Sequence, residues 1–175
     1  MEIKLRKLLI EDKEKYWESG FANPDIEVMY YTGTINNPTK EQVYSYIERV
    51  VEDDSREDFI IVDLNNNILG EVVLNDIDDN NRSCGFRIAI FNKNLFGQGI
   101  GYKATLEVLR VAFEELKLHR VELEVFDYNP RAKRMYEKVG FKVEGVKREG
   151  IFIENEYKDV YIMAILEGEY REMFI

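Results

Sequence analysis

Val125-Phe126-Asp127-Tyr128-Asn129-Pro130-Arg131-Ala132-Lys133-Arg134-Met135-Tyr136-Glu137-Lys138-Val139-Gly140-Phe141-Lys142 is the stretch on which the reading of the fold turns. Val121, Leu123 and Val125 alternate with polar residues, the period of a half-buried strand. At Asn129-Pro130 the period changes. Proline supplies a preset first helical residue and asparagine a side-chain cap, after which Ala132, Met135, Tyr136 and Val139 recur on one helical face. Gly140 ends the helix and an apolar strand pattern resumes at Phe141. Strand, helix and strand follow one another within a short span, as in an α/β protein.

A second unit of this kind lies upstream. A strand pattern from Cys84 to Phe91 stops at Phe96-Gly97-Gln98-Gly99-Ile100-Gly101-Tyr102, and Ala104, Val108, Val111, Ala112 and Leu116 then recur at helical spacing. Further out, Phe59 to Val62 and Ile68 to Leu74 flank Asn65-Asn66-Asn67 and read as a hairpin. Thr39 with Gln42 forms a capping box that opens a helix over about 40–53, with Val43, Ile47, Val50 and Val51 inward. Residues 2–10 read as a first strand, followed by a short helix carrying Tyr16 and Trp17. Two strands, about 141–148 and 156–166, close the chain. The order β-α-α-β-β-β-α-β-α-β-β predicts a mixed sheet with helices on both faces.

At 175 residues the chain is long enough for one domain with a sizeable core. Lys and Arg number 24 against 34 Asp and Glu, a net charge of -10, which disfavours nucleic acid and favours cationic partners. Cys84 and His119 stand alone of their kinds, so neither an internal disulfide nor a zinc tetrad can form. No metal is expected. Met1-Glu2-Ile3-Lys4-Leu5-Arg6 has no signal-like apolar core, and no apolar run approaches the roughly 20 residues that span a bilayer. The expectation is a soluble, cytoplasmic protein without a membrane partner.

Alternate glycines at 97, 99 and 101 free successive backbone N–H groups to point outward at a helix start, which makes an anion cradle. A tight turn without ligand would use the same residues. The loop is not a Walker A sequence, since Ala104 follows Lys103, and its glycines do not fit the dinucleotide fingerprint.

Taken with Asn129, Ala132, Tyr136, Gly140 and Phe141, this loop resembles the GNAT superfamily of acetyl-CoA-dependent N-acetyltransferases, whose pattern is a pyrophosphate loop followed by Asn-x-x-Ala-x-x-x-Tyr-x-x-x-Gly-Phe. The segment Arg148 to Met163 is similar to the branch of ribosomal-protein and spermidine acetyltransferases. The resemblance implies one domain over 1–175, with a twisted, mostly antiparallel sheet of about seven strands and about four helices. It implies that Phe96, Gly97, Gln98, Gly99, Ile100 and Gly101 hold the acetyl-CoA pyrophosphate and that Asn129 contacts the pantetheine arm or orders the loop. It further implies that a backbone N–H on the strand around Ile88 meets the acyl oxygen, and that Tyr136 protonates the departing thiolate. Arg131, Lys133 and Arg134 form a basic cluster that could meet the coenzyme's 3′-phosphate. Each has a plainer reading: Asn129 as a cap, the arginines as a solvated face, Tyr136 as core.

Attack on a thioester needs a neutral amine, and neutralising one of pKa about 10.4 at pH 7 costs about 4.6 kcal/mol. A carboxylate or ordered water should accept that proton. Cys84-Gly85-Phe86-Arg87-Ile88 carries no acid, which leaves Glu71, Asp76 or water, with Glu71 the named candidate. Cys84 lacks an activating neighbour, and His119 reads as a solvated boundary residue. Asp25, Glu27, Tyr30 and Tyr31 combine acids with aromatic rings and suit a cationic acceptor such as a polyamine or a protein N-terminus. A non-catalytic acyl-CoA-binding module of the same fold is the alternative. Strand edges and the tail Tyr170 to Ile175 suggest a homodimer.

Overall fold

The computed structural model describes residues 1–175. The strands are β1 (Lys4–Lys7), β2 (Glu57–Val62), β3 (Ile68–Asp78), β4 (Ser83–Ile90), β5 (Arg120–Phe126), β6 (Lys142–Ile153) and β7 (Glu156–Leu166). They form one sheet in the order β1-β2-β3-β4-β5-β7-β6. All neighbours are antiparallel except β4 and β5. A parallel neighbour needs a crossover, and α4 (Ile100–Arg110) supplies it, running on through a wide turn at Val111–Glu115. The helices α1 (Lys13–Gly20), α2 (Ile26–Thr32), α3 (Lys40–Val51), α5 (Pro130–Val139) and α6 (Glu167–Phe174) complete the set.

Alternation along β2 explains the layering. Phe59 and Ile61 face the larger core, which takes in Ile100, Ala104, Val108 and Leu109 of α4 and Tyr136 and Val139 of α5. Ile60 and Val62 face the smaller core, with Tyr16 of α1 and Val43, Ile47 and Val50 of α3. Coverage on both faces is why β2 reads as an unbroken apolar run. The Thr39–Gln42 capping box forms, and Asn66 takes the left-handed backbone (φ 62°) that the hairpin turn requires.

Six helices form where the periodicity predicts about four, and the two additional ones have local causes. Seven-residue α2 buries none of its side chains, so it has no apolar stripe to read. It is held at its ends, by Asp25 accepting from Glu27 N–H at 3.0 Å and by Gly33 in the left-handed region (φ 67°). The tail from Tyr170 falls in α6, whose Tyr170 packs on its own chain while Met173 and Ile175 stay exposed. Tyr170 is buried against Phe113 at 4.9 Å and donates to Glu114 at 2.6 Å, while Phe174 lies 5.3 Å from Tyr170. β1 is shorter than the 2–10 pattern because Arg6 turns to Asp12, making bonds of 2.7 and 2.8 Å as Asp12 also accepts from Leu9 N–H at 3.0 Å. β6 runs past 148 to Ile153 because the two residues Glu154 and Asn155, at φ 51° and 62°, close a tight hairpin with β7.

Gly70 and Gly85 give a test of how tightly β3 and β4 are joined. A Cβ on Gly70 would lie 2.2 Å from the Ala89 carbonyl oxygen, which is backbone and cannot move without parting the strands. On Gly85 it would meet only the Asn75 side chain, at 3.0 Å, which can rotate away. Urea unfolding should therefore show Gly70→Ala losing about 3 kcal/mol or more and Gly85→Ala clearly less. Equal losses would contradict this account.

Candidate active site

The site begins where the sheet fails to close. β4 and β5 pair only at Ser83 with Arg120, Cys84 with Val121 and Gly85 with Glu122, although β4 continues to Ile90 and β5 to Phe126. Beyond Gly85 the alternate N–H and C=O groups of β4 that point away from β3 have no strand to bond. A cavity of about 820 Å³ opens there, lined by residues from both faces of the sheet.

At the mouth of this gap lies the glycine loop. Gly97 and Gly99 have φ of 75° and 78°, and a Cβ on either would project into open space. The N–H groups from Gly97 through Tyr102 find no backbone acceptor, and Lys103 N–H, bonded to Gly99 C=O at 3.0 Å, is the first that does. No side chain caps α4. Six successive donors thus converge at the positive end of a helix, which is what a pyrophosphate needs. Gly101 is helical, and its Cβ would meet only Met135 Cε at 3.8 Å. The Gln98 amide turns back to Asn94 C=O at 2.9 Å, which leaves its backbone N–H for a ligand.

Around the gap, α5 is basic. Arg134 and Lys138 line the cavity, whereas Lys133 is engaged with Glu137 at 2.5 Å. Arg131 also lines it, with its guanidinium 3.7 Å from the centre of the Phe96 ring and 5.0 Å from that of Tyr31. This stack ties the glycine loop to α2 and α5. Asn129 does what a cap does, accepting from Ala132 N–H at 3.2 Å, and its amide reaches Tyr31 C=O at 3.4 Å. Tyr136 lines the cavity and is 7% exposed, with its ring edge-on to Phe86 at 5.9 Å. Burial alone raises its hydroxyl well above the ordinary tyrosine range; no charged or hydrogen-bonded neighbour contributes. The Tyr136 ring packs in the core, and its hydroxyl has no hydrogen-bond partner on the chain.

The opposite face of the sheet supplies carboxylates. Glu71 lines the cavity at 8% exposure, accepts from the Tyr16 hydroxyl and lies 3.5 Å from Arg87. Burial and the Glu71 charge push the Tyr16 hydroxyl well above its ordinary range, so it serves as a donor only. The Glu71 charge likewise holds Arg87 in its cationic form. Arg87 donates in turn to the Tyr46 hydroxyl, which also accepts from Arg56 at 3.0 Å and donates to Asp58 at 3.1 Å. Glu71 is a buried, fully partnered carboxylate, unlike a charged residue that merely alternates on a half-exposed strand. Asp76, at φ 51°, is not part of the cavity wall.

Among the acceptor-side candidates, Asp25 and Tyr31 line the cavity; Glu27 and Tyr30 do not. Asp25 is committed to structure, since it accepts from Lys93 N–H at 2.9 Å as well as capping α2. Ile88 also lines the cavity. Tyr46, Arg87, Glu124 and Phe126 were not legible as site residues, because three elements distant in sequence bring them together. For Arg87, Glu124 and Phe126 the one sequence signal is a polar or aromatic residue at an alternating position on β4 or β5; Tyr46, on α3, has none. Neither Cys84 nor His119 belongs to the cavity wall, and no group of three or more His, Cys, Asp or Glu could hold a metal.

The acetyltransferase (GNAT) domain family matches residues 2–142. A spermidine N(1)-acetyltransferase of Vibrio cholerae is 35% identical over 132 residues, 74% of this chain and 73% of that protein. A prophage-derived uncharacterized N-acetyltransferase of Bacillus subtilis is 32% identical over 155 residues, 88% of this chain and 84% of that one. Among solved structures, spermidine N-acetyltransferase from Vibrio cholerae in complex with CoA and spermine superposes with a TM-score of 0.86 at 28% identity, covering 97% of this chain and 98% of that one.

Burial pushes the Cys84 thiol up to about 12, from an ordinary value near 8.5. The folded chain should therefore be inert to a disulfide reagent at pH 8, and unfolding in denaturant should release one reactive thiol. Prompt modification of the folded chain would contradict the placement of Cys84.

Proposed function

For a chain that belongs to the GNAT acetyltransferase family, and is thereby an N-acetyltransferase, we propose direct transfer of the acetyl group of acetyl-CoA to a primary amine of a linear polyamine. The observation that carries this reading is the run of unpartnered N–H groups from Gly97 through Tyr102 at the mouth of the gap between β4 and β5. The polyamine assignment draws on the spermidine acetyltransferase relatives and on the division of charge across the cavity. Arg131, Arg134 and Lys138 lie toward the phosphate cradle, and Glu71 and Glu124 lie on the other face of the sheet.

In this reading the loop N–H groups and the α4 dipole hold the pyrophosphate, with Arg134, and Lys138 from its place over the Tyr102 ring, turned to the remaining phosphate charge. The unpaired edge of β4 from Phe86 to Ile90 bonds the pantetheine amides, and one of its N–H groups near Ile88 polarises the acyl oxygen. Glu71 accepts the ammonium proton, directly or through one water, so that the neutral nitrogen can attack the thioester carbon. The C–S bond then breaks, and the Tyr136 hydroxyl donates its proton to the departing sulfur. N-acetylamine and free CoA thiol result. A tyrosine whose pKa is raised by burial is a weak acid toward a solvated thiolate. The sulfur leaves into the same apolar pocket, however, and burial raises a thiol too, as Cys84 illustrates on this chain.

A panel of spermidine, aminoglycosides and short peptides with acetyl-CoA, read by release of free thiol, tests the acceptor; turnover of peptides alone would overturn the polyamine reading. Tyr136→Phe should lower kcat about 100-fold or more while calorimetry shows unchanged acetyl-CoA affinity. Preserved kcat would remove Tyr136 from the chemistry. Since the hydroxyl keeps its proton beyond the ordinary tyrosine value of about 10, kcat should rise from pH 7 to 9 with no alkaline limb from Tyr136. A limb below pH 10 that disappears in Tyr136→Phe would contradict that assignment.

A further inference from the structure

Glu124 faces the cavity from β5, on the same side of the sheet as Glu71. Its inward neighbours Leu123 and Val125 belong to the core under α4 and α5, so Glu124 lies on the α1–α2 side. The register sets its distance from Glu71. Gly85 of β4 is level with Glu122, and Ala89 of β4 is level with Glu71. Glu71 thus stands two strands across and about two residues farther along than Glu124. At about 4.8 Å per strand and 3.3 Å per residue, the two Cα atoms are about 12 Å apart, more as β4 and β5 diverge. An extended chain of nine single bonds, the span between the end nitrogens of spermidine, covers about 11 Å.

Glu124 already carries an ammonium. Lys147 of β6 reaches across β7 to form a hydrogen-bonded ion pair with it, and both side chains are about half exposed. Such a pair is stabilised only weakly in water, so replacing one ammonium by another on Glu124 costs little. Arg87 does not compete from the other side, because its guanidinium is turned toward Glu71 and Tyr46.

We propose that Glu124 reads the distal ammonium of a linear polyamine whose reacting amine lies at Glu71, and that Lys147 is its internal stand-in, displaced when that substrate binds. The inference rests on the acceptor reading above. It makes Glu124 a specificity residue that rewards a second positive charge about 11 Å from the first, with no part in the bond-making step.

The test compares kcat/KM for spermidine with that for n-propylamine, which has the reacting amine and no second charge. Glu124→Gln should lower the spermidine-to-propylamine ratio about fivefold, and Lys147→Met should raise it. Added salt at 0.5 M should compress the ratio in the unaltered chain and leave it unmoved in Glu124→Gln. An unchanged ratio in both variants overturns the proposal, as does an equal loss for both amines in Glu124→Gln, since that would place Glu124 at the reacting end. If the unaltered chain releases thiol with peptides and with neither amine, the polyamine reading itself falls and this inference with it. Turnover of both amines with an unmoved ratio sinks this inference alone.

Discussion

Everything in the site depends on β4 and β5 being paired for three residues and then parting. Parallel strands at the middle of a sheet ordinarily bond along their whole shared length, and here the bonding ends at Gly85 and Glu122. The parting exposes one edge of β4 from Phe86 onward inside the molecule, where an unbonded backbone would be costly unless something polar or water reaches it. It also cuts a passage through the sheet, so that side chains on its two faces line one cavity. The unpartnered loop N–H groups are thereby kept on one side and carboxylates on the other.

The helices follow from that opening. α4 must cross over to make β4 and β5 parallel, and the crossover places its free N-terminus at the mouth of the gap. α5 covers β5 and delivers Tyr136 from the same side, with its ring held by Phe86 and Phe141. On the far side α1 and α3 fasten a polar group in which buried Glu71 and Tyr16 meet the more exposed Arg87 and Tyr46. Such a charged network is weak evidence of stability, because its desolvation cost offsets its Coulomb attraction. Its presence beside the opening fits a role in holding the Glu71 side chain in place.

The Arg131, Phe96 and Tyr31 stack joins these two sides. Sequence spacing marks Arg131 as a solvated or phosphate-facing residue, whereas the fold lays its guanidinium over two rings from separate elements. Asn129 adds a second tie from α5 to α2 through Tyr31 C=O. The short helix α2, with no buried side chain of its own, is placed by contacts that no local pattern encodes.

Local rules made much of the molecule readable. The periods of apolar residues, the Thr39–Gln42 box, the Asn129-Pro130 start and the glycines at 97 and 99 depend on backbone sterics and on hydrogen bonds within a few residues. They determine strands, helices and the run of free loop N–H groups before any tertiary contact exists. The ordered pair of motifs likewise brought the family within reach. The sequence could not determine which polar residues share the cavity. Glu71, Arg87 and Glu124 lie on three strands, and their meeting depends on register, on the face each residue presents and on where β4 leaves β5. Those quantities are set by long-range pairing and helix packing, which act between segments far apart in the chain.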